Sequence, residues 1–507
     1  MSVSLPDLTP LLGMGIVIAT AILLLMYEVF SDQIDRRYHA RIAAIGLLVA
    51  MYFVAKDIAA PTRALFASNV RAAPIVVDAF ARASSLVVMA GAMIACLLSP
   101  AYAKNQGHDF GEYYSLILFA VVGMMVMVMS GDLFTFFVGL ETMSIAVYAL
   151  TGLRARDPRA SEAALKYFLM GAFATGFLLF GIALVYGASS TGSVSLSDLA
   201  RTIAASNDAV MSRPLLGIGL VLILIGFAFK IAAVPFHMWA PDVYEGAPTP
   251  VTGFMAVGVK AAAFLGLLRI VIVGLSAQEG GADAIWVDFL SGLAVVTILV
   301  GNAIAIVQQS IKRMLAYSSV SHAGYALIGV VAAAQGEAGA GRAVLFYLTT
   351  YTFMTLGAFG VLTYLEREDG GVESERFGAF AGIGYKHPAL SIAMALFMVA
   401  LAGMPPTGGF FGKLYVFSSA LRAGETTLAL VGIFGSVVSV YYYLRVIVAF
   451  YMRDVPEAGP TPQATRSTEL TIGLALSTVA VLALGIAPSA WLDVTDLALK
   501  SLANIAY

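Results

Sequence analysis

Long apolar segments recur along the whole chain and constrain its fold more than any other feature. A membrane-spanning helix needs roughly 20 apolar residues, and about fourteen segments meet that length. Of the 507 residues, 60% are hydrophobic and 12% are charged, whereas a soluble domain has roughly 25% charged residues. The sequence therefore predicts an all-α polytopic membrane protein. The approximate cores of the predicted spans are 10–30, 41–56, 75–98, 112–130, 132–151, 162–187, 215–239, 250–274, 284–308, 314–334, 342–366, 389–420, 426–452 and 468–492.

The composition argues against several classes of site. Cys96 is the only cysteine, which excludes a disulfide within the chain and a cysteine-ligated cluster. The five histidines are scattered without metal-ligand spacing, and no glycine-rich phosphate loop opens a helix. The net charge of −2 gives no reason to expect nucleic acid as a partner. We therefore predict no metal and no cofactor site in this chain.

Lysine and arginine are unevenly divided between the two sets of alternate loops. About fourteen lie in one set, which contains Arg154 and Lys312, and about seven lie in the other. Because cytoplasmic loops carry the excess of these residues, the first set is predicted to be cytoplasmic. Both termini then lie on the periplasmic side. The first apolar segment is expected to act as an uncleaved insertion signal.

One predicted helix, within residues 227–250, contains a lysine followed closely by a proline. Pro235 has no N–H and clashes with the carbonyl one turn back, so we expect it to leave the Ile231 carbonyl unpaired, next to Lys230. A broken helix is tolerated in hydrocarbon only where it is buried in protein or lines water. An ammonium group beside a free carbonyl is therefore predicted here, which is typical of an ion-handling site.

A second break suggests an internal repeat. Predicted spans four to eight and nine to thirteen are two sets of five, and the fourth member of each contains prolines, at Pro235 and at Pro405-Pro406. Because five is odd, the second set must be inverted, and inverted repeats with broken helices are typical of transporters. The alternative is that prolines recur by chance, since they are common in membrane helices. The predicted regions are residues 1–111 (three helices), 112–274 (first set), 275–455 (second set) and 456–507 (the last helix).

Several ionisable side chains lie inside the predicted spans. A charge near the bilayer centre costs about 2.5–3.5 kcal/mol on insertion scales, so such residues are functional candidates by default. Most of them lie at a similar depth, which predicts that these side chains form a row parallel to the membrane plane, called the row below. The candidates are Glu141, Lys166, Lys230, Lys260, His322 and Lys413.

These residue types suit proton transfer. Burial disfavours the charged form of a glutamate or a lysine, whereas pairing the two favours it. A Glu141–Lys230 ion pair is therefore expected to hold both groups charged, and its separation is expected to release a proton. His322 belongs to the residue type that titrates near neutrality and relays protons through either ring nitrogen. Serines, tyrosines and trapped water are expected to fill the gaps.

Some of these residues have a simpler interpretation. Lys166 and Lys413 either belong to the row or extend their ammonium groups toward a membrane interface. His322 either relays protons or is a hydrogen-bonded core histidine. Lys312 and Arg313 either determine the orientation of the chain or lead protons from the cytoplasm to His322.

Four stretches resemble the antiporter-like membrane subunits of respiratory complex I, and two of them favour the subunit N branch of that group. The stretches are KYFLMGAFATGFLLFG (residues 166–181), KIAAVPFHMWAPDVYEGAPTPVTGF (230–254), KRMLAYSSVSHAGYALIG (312–329) and LAGMPPTGGFFGKLYVF (401–417). The parts DVYEGAPTPVT and MPPTGGFFGK favour the subunit N branch.

The resemblance implies fourteen helices, two inverted five-helix units, and proton pumping coupled to redox chemistry without a redox centre in this subunit. It places proton-transfer residues at Glu141, Lys230, Lys260 and Lys413, and with a weaker match at Lys166 and His322. It also implies that NADH, FMN, iron–sulfur clusters and quinone belong to partner subunits.

The implied partners are other membrane-arm subunits, including a second antiporter-like subunit and small hydrophobic subunits, together with lipids of the bacterial inner membrane. Two alternative functions remain open. One is a subunit of a cation/proton antiporter or of a related membrane-bound hydrogenase complex. The other is a scaffold whose lysines only pair across helices. The proteins that co-purify with the chain distinguish the first alternative from complex I.

Overall fold

The chain folds as a bundle of apolar helices with one small β-hairpin. The computed structural model describes residues 7–30, 37–67, 69–105, 111–154, 156–205, 214–275, 285–365, 376–453 and 467–506. The hairpin pairs β1 (Arg63–Leu65) with β2 (Ile75–Val77) in antiparallel register. The predicted loops around 31–36, 366–375 and 454–466 lie outside the described residues, and the orientation of the chain in the membrane stays a prediction.

The α-helices of the described residues are α1 (Leu12–Phe30), α2 (Arg37–Lys56), α3 (Ala79–Asn105), α4 (Glu112–Met129), α5 (Leu133–Thr151), α6 (Pro158–Ala188), α7 (Leu196–Ala204), α8 (Pro214–Lys230), α9 (Trp239–Gly246), α10 (Thr249–Phe254), α11 (Lys260–Arg269), α12 (Ile285–Val307), α13 (Ile311–Ala334), α14 (Ala340–Leu365), α15 (Ile383–Lys386), α16 (Pro388–Ala402), α17 (Gly408–Arg422), α18 (Thr426–Met452), α19 (Thr468–Ile486) and α20 (Ser489–Ala506). Two π-helical segments, Met255–Val259 and Ile270–Gly274, join α10 and α11 into one continuous helix and extend it.

The predicted fold class, an all-α polytopic membrane protein, is confirmed. Within the described residues, 12 helices are long and apolar enough to cross a membrane, and two shorter apolar helices, α8 and α16, end at the breaks. The predicted number of fourteen spans requires each broken helix to count as one span. That number and the predicted region boundaries stay predictions.

The first break begins directly after a lysine. Helix α8 ends at Lys230, and α9 begins at Trp239. Proline at position 235 disturbs a helix back to the residue four positions earlier, which explains an end just before Ile231. The last carbonyls of α8 still find donors, because the Ala233 N–H donates to the Ala228 carbonyl at 2.8 Å. The Trp239 Nε1–H also donates to the Phe229 carbonyl, at 3.1 Å.

The second break differs in how the chain leaves the helix. Helix α16 ends at Ala402, and Gly403 follows with a φ of +84°, a left-handed conformation that glycine adopts without steric cost. The paired prolines Pro405-Pro406 lie in the short connection to α17. Both breaks thus occur where the sequence predicts them.

The two predicted five-helix sets pack with the same pairings. In the first set α4 packs on α5, and α6 packs on both halves of the broken span, α8 and α9; in the second set α12 packs on α13, and α14 packs on both halves of the broken span, α16 and α17. The most enclosed spans lie at the centre of the bundle and are Thr249–Gly274, α13 and α14. The like pairings are consistent with a repeat, and the inverted relation stays a prediction.

The C-terminal region contains a helix that the sequence analysis did not separate. The last predicted span extends to residue 492, but α19 ends at Ile486 and α20 begins at Ser489. Pro488 lies between them and cannot donate the main-chain hydrogen bond that a continuous helix needs. Helix α20 packs against α3 and α14 instead of extending α19.

Candidate functional site

Lys230 is buried at the end of α8 and is held by hydroxyl groups of α5. Its Nζ donates a hydrogen bond to Ser144 Oγ at 2.7 Å and to Tyr148 Oη at 3.3 Å. The same ammonium lies 5.2 Å from the centre of the Tyr148 ring and 5.6 Å from that of Tyr167, distances at which a cation is attracted to an aromatic face. The first break therefore presents its lysine to hydroxyls and rings.

Glu141 precedes Ser144 by three residues and lies on the same face of α5. Among the described residues its carboxylate forms no ion pair with Lys230, whose Nζ bonds the Ser144 hydroxyl. One buried carboxylate oxygen of Glu141 has no hydrogen-bond partner among the described residues. The expected Glu141–Lys230 ion pair is therefore not formed in this structure.

Lys260 is buried at the start of α11, next to a π-helical segment. Its Nζ donates to the main-chain carbonyl of Ser319 at 2.6 Å and also to the Ser319 hydroxyl. The π segment Met255–Val259 ends at the residue before Lys260, and π segments inside helices frequently occur at functional sites. The helix of residues 249–274, which belongs to the first set, therefore contacts α13 of the second set through Lys260.

His322 follows Ser319 on the same face of α13, and both of its ring nitrogens have partners. Its Nδ1 lies 2.6 Å from Tyr347 Oη, and its Nε2 lies 2.9 Å from Tyr443 Oη. The Tyr443 hydroxyl is also hydrogen-bonded to Ser318. A buried imidazole with a hydroxyl on each nitrogen can accept a proton on one side and donate one on the other.

Lys413 lies in α17 and is bonded to the end of the other half of its own broken helix. Its Nζ donates to the carbonyls of Leu401 at 2.9 Å and Ala402 at 3.0 Å, and to Ser436 Oγ at 2.9 Å. Carbonyls at a helix C-terminus have no partner within the helix, so the ammonium supplies one. The arrangement predicted for Lys230, an ammonium beside free carbonyls, thus occurs at Lys413.

The row is closer to continuous in the second set than in the first. Ser319, which binds Lys260, lies three residues before His322 on α13, and the His322 ring packs at 5.5 Å on that of Tyr325, which lies 5.1 Å from Lys413 Nζ. In the first set, no described side chain is hydrogen-bonded to both Lys230 and Lys260. The Trp239 ring packs there against two tyrosines, with its centre 4.5 Å from that of Tyr167 and 6.1 Å from that of Tyr244. The hydroxyls of these two tyrosines are buried without a hydrogen-bond partner among the described residues.

Lys166 lies outside the row. Its side chain is 41% exposed and forms ion pairs with Glu162 at 2.6 Å and Asp242 at 3.0 Å. The structure therefore places Lys166 in a charged cluster at the surface. Its predicted role in proton transfer has no contact with the other candidates to support it.

The family of the chain follows from comparison with known proteins. A family model described as "NADH:quinone oxidoreductase/Mrp antiporter, TM" matches residues 130–439. The chain belongs to this family. A relative from Sorangium cellulosum, "NADH-quinone oxidoreductase subunit N 1", is 46% identical over 423 residues, which are 83% of this chain and 82% of the relative.

Solved structures of this family share the fold. A chain of respiratory complex I from Thermus thermophilus is 33% identical, with a TM-score of 0.77 over 95% of this chain and 98% of that one. A chain of the Mrp complex from a Dietzia species is 20% identical, with a TM-score of 0.82 and 98% of each chain covered. The second likeness shows a common fold alone, whereas the first confirms the resemblance to antiporter-like subunits of complex I.

Sequence reasoning missed the tyrosines that flank His322 in this family member. Tyr347 and Tyr351 lie four residues apart on one face of α14, and the Tyr351 ring is 5.0 Å from that of His322. That spacing was the only available signal, and it is equally typical of apolar packing. Among the described residues, no three His, Cys, Asp or Glu side chains are grouped to hold a metal ion.

Proposed function

We propose that this chain is a proton-translocating membrane subunit of an NADH:quinone oxidoreductase. The names of its relatives support the assembly, and one observation supports the role. His322 is hydrogen-bonded through both nitrogens; it lies one helical turn from Ser319, which binds Lys260, and packs on Tyr325, whose ring lies against Lys413. A structural ion pair needs no such alternation of titratable groups and hydroxyls.

The proposed transfer uses groups that donate and accept. Serine and tyrosine hydroxyls do both, so a proton that leaves Lys230 can pass to a neighbouring hydroxyl or to water while the hydroxyl releases another. His322 binds a proton on one nitrogen and releases one from the other, toward Tyr347 or Tyr443. Buried polar groups usually have hydrogen-bond partners, so the partnerless hydroxyls of Tyr167 and Tyr244 are the places where bound water fits best.

Glu141 has a different position in this scheme. It lies on the face of α5 that carries Ser144, the hydroxyl partner of Lys230, but forms no ion pair with Lys230 among the described residues. A rotation that brings the carboxylate to the ammonium favours the charged lysine, and the separated arrangement favours proton release. Glu141 thus acts on Lys230 as a movable counter-charge.

The redox chemistry belongs to partner subunits in this proposal. NADH, FMN, iron–sulfur clusters and quinone are bound by other subunits, and this chain contributes no redox group. Its partners are other membrane-arm subunits, including a second antiporter-like subunit and small hydrophobic subunits. The assembly lies in the bacterial inner membrane with both termini of this chain on the periplasmic side.

The decisive experiment replaces Lys260 by methionine in the intact complex in native membranes. We expect assembly and NADH oxidation by an artificial electron acceptor to be retained, while proton translocation coupled to quinone reduction is lost. The matched control is Lys386→Met, because Lys386 is exposed on the surface. Normal translocation in Lys260→Met contradicts the proposal, as does a purified assembly without flavin and iron–sulfur subunits.

A further inference from the structure

One carboxylate on the short helix α9 joins the two helix sets. Asp242 Oδ2 lies 3.0 Å from Lys166 Nζ of α6, and Asp242 Oδ1 lies 2.9 Å from Arg313 Nη1 of α13. Arg313 also pairs with Glu245 of α9 at 2.6 Å. Helix α9 is therefore held from both sides by cations that belong to different halves of the bundle.

The C-terminus of α9 is held in the same way. Arg154 donates to the Gly246 carbonyl at 2.8 Å, and Lys312 donates to the Ala247 carbonyl at 2.9 Å. Cations are favourable at this end of a helix, where the carbonyls are unpaired and the dipole is negative. Because the break removes helical continuity with α8, these side-chain contacts replace the support that an unbroken helix provides.

The first residue of α9 is connected to the lysine of the first break through one tyrosine ring. Trp239 is buried and stacks on Tyr167 with ring centres 4.5 Å apart and an interplanar angle of 11°. Tyr167 in turn lies against Lys230. The contacts therefore run from Asp242 along α9 to Trp239, then through Tyr167 to Lys230.

An open cavity lies between α6 and α9. Its volume is about 320 Å³. It is lined by Arg159, Glu162, Ala163, Lys166, Asp242, Glu245 and Gly246. Acidic and basic side chains therefore surround a space that reaches the residues holding α9, and its lining residue Lys166 directly precedes Tyr167, whose ring lies 5.6 Å from Lys230 Nζ.

We propose that Asp242 is the latch of a gate between this cavity and Lys230. Its ion pairs to Lys166 and Arg313 hold α9 in place, so that Trp239 closes the lysine off. Loss of these pairs leaves α9 held only through Glu245 and through the two cations at its C-terminus, so that its first turn moves and admits water to Lys230. Asp242 is thus a positioning residue, and Lys166 belongs to the latch.

The strength of these contacts suits a gate. The paired side chains are partly exposed, between 25% and 41%, and exposed ion pairs are individually weak. A carboxylate shared between two cations is therefore able to exchange partners, and α9 moves without unfolding the spans around it. The functional meaning of the gate rests on the proposed role of Lys230, whereas its existence does not.

The test measures access to a cysteine placed beside Trp239 in the intact complex. Ala240 is fully buried on α9, and the natural Cys96 is also fully buried, so Ala240→Cys adds one reporter to a nearly silent background within this chain, whose labelling is read on the separated subunit. A membrane-impermeant charged thiol reagent is applied separately to the face that carries Arg313 and to the opposite face. With Asp242→Asn added, we expect labelling to rise about five- to thirtyfold, and only from the Arg313 face.

Two further variants make the result specific. Arg313→Gln removes the other partner and is expected to raise labelling in the same direction, which keeps the test available if Asp242→Asn does not assemble. Glu162→Gln removes a carboxylate that pairs with Lys166 in the same cavity but belongs to α6, and labelling is expected to stay unchanged. Unchanged labelling in both Asp242→Asn and Arg313→Gln overturns the latch, and so does an equal rise in Glu162→Gln.

A second measurement separates the latch from the proposed function. We expect Asp242→Asn to lower the number of protons moved per NADH oxidised, while the KM for quinone is unchanged. If labelling is unchanged while Lys260→Met still abolishes translocation, the latch is wrong and the proton-transfer proposal stands. If labelling rises while Lys260→Met translocates normally, the gate exists but the proton-transfer proposal is wrong.

Discussion

The two breaks each bring a lysine into the bundle, but they hold it with different groups. Lys230 at the first break bonds to hydroxyls of a neighbouring helix, Ser144 and Tyr148. Lys413 at the second break bonds to two carbonyls of its own broken helix, Leu401 and Ala402. Carbonyls in the last turn of α8 instead accept hydrogen bonds from main-chain N–H groups and from the Trp239 Nε1–H.

This difference separates two tasks. A hydroxyl both donates and accepts, so it stays hydrogen-bonded whether or not Lys230 carries its extra proton. A carbonyl only accepts, so the protons of Lys413 also satisfy the end of α16. The first lysine is free to exchange protons, whereas the second combines a charge with structural support for its break.

The largest expected effect is on proton translocation in Lys230→Met. A positioned proton-transfer group contributes roughly 10²–10⁴-fold to a rate, so we expect coupled translocation to fall by at least about tenfold. Assembly is expected to be normal, because Lys230 satisfies no main-chain carbonyl. Proton uptake by vesicles, normalised to the amount of complex, measures the effect. Translocation above half of the wild-type value, with Lys386→Met as control, contradicts the comparison.

The second prediction concerns stability, and it applies to the other lysine. Lys413→Met leaves the Leu401 carbonyl without a donor and the Ala402 carbonyl with only the Ser436 hydroxyl, at 3.3 Å, and an unsatisfied buried group costs about 1–3 kcal/mol. We expect the complex to lose about 1–3 kcal/mol of stability and to assemble in smaller amounts, in addition to losing translocation. Thermal unfolding of the purified complex measures this. Lys413→Arg, which retains N–H donors, is expected to assemble better than Lys413→Met. If the Tm of Lys413→Met equals that of the wild type, Lys413 gives its break no more structural support than Lys230 gives the first break.

Polarity within apolar segments was enough to predict which lysines the bundle buries. Lys230, Lys260 and Lys413 are conspicuous in the sequence because charged residues are rare in spanning helices. The positions of both breaks followed from the prolines, since the steric effect of proline is local. These features follow from the local order of the residues, so they can be predicted without knowing which helices pack together.

The contacts around these residues were not predictable in the same way. Tyr347 and Tyr443 come from α14 and α18, and only the packing of those helices on α13 brings them to His322. The position of Lys166 depends on α9, whose direction after the break is set by ion pairs with two other helices. Glu141 and Lys230 were expected to form an ion pair, and the bond of Lys230 to the Ser144 hydroxyl instead depends on how α5 is rotated about its axis.

The third prediction concerns the two tyrosines whose hydroxyls are hydrogen-bonded to the His322 ring. Tyr443→Phe and Tyr347→Phe each remove one hydroxyl from an imidazole nitrogen, and one such hydrogen bond is worth about 1 kcal/mol. We expect each variant to lower translocation by about two- to tenfold. The fold is retained, because the ring remains. The matched control is Tyr441→Phe, whose side chain is 59% exposed on the same helix. Equal translocation in all three variants means that His322 packs without relaying protons.

The fourth prediction has the smallest expected effect and tests the comparison most directly. It uses two substitutions, each of which removes one serine hydroxyl that is hydrogen-bonded to a lysine. Ser144→Ala takes away one of the two hydroxyls of Lys230, and an interhelical hydrogen bond in a membrane protein averages about 0.6 kcal/mol. We expect translocation to fall about two- to threefold. Ser436→Ala leaves Lys413 with both carbonyls and is expected to leave translocation unchanged. Because both substitutions delete the same atom type beside a buried ammonium, a difference between them reports the role of the lysine. The reverse order, with Ser436→Ala the slower variant, means that the second break and not the first exchanges protons.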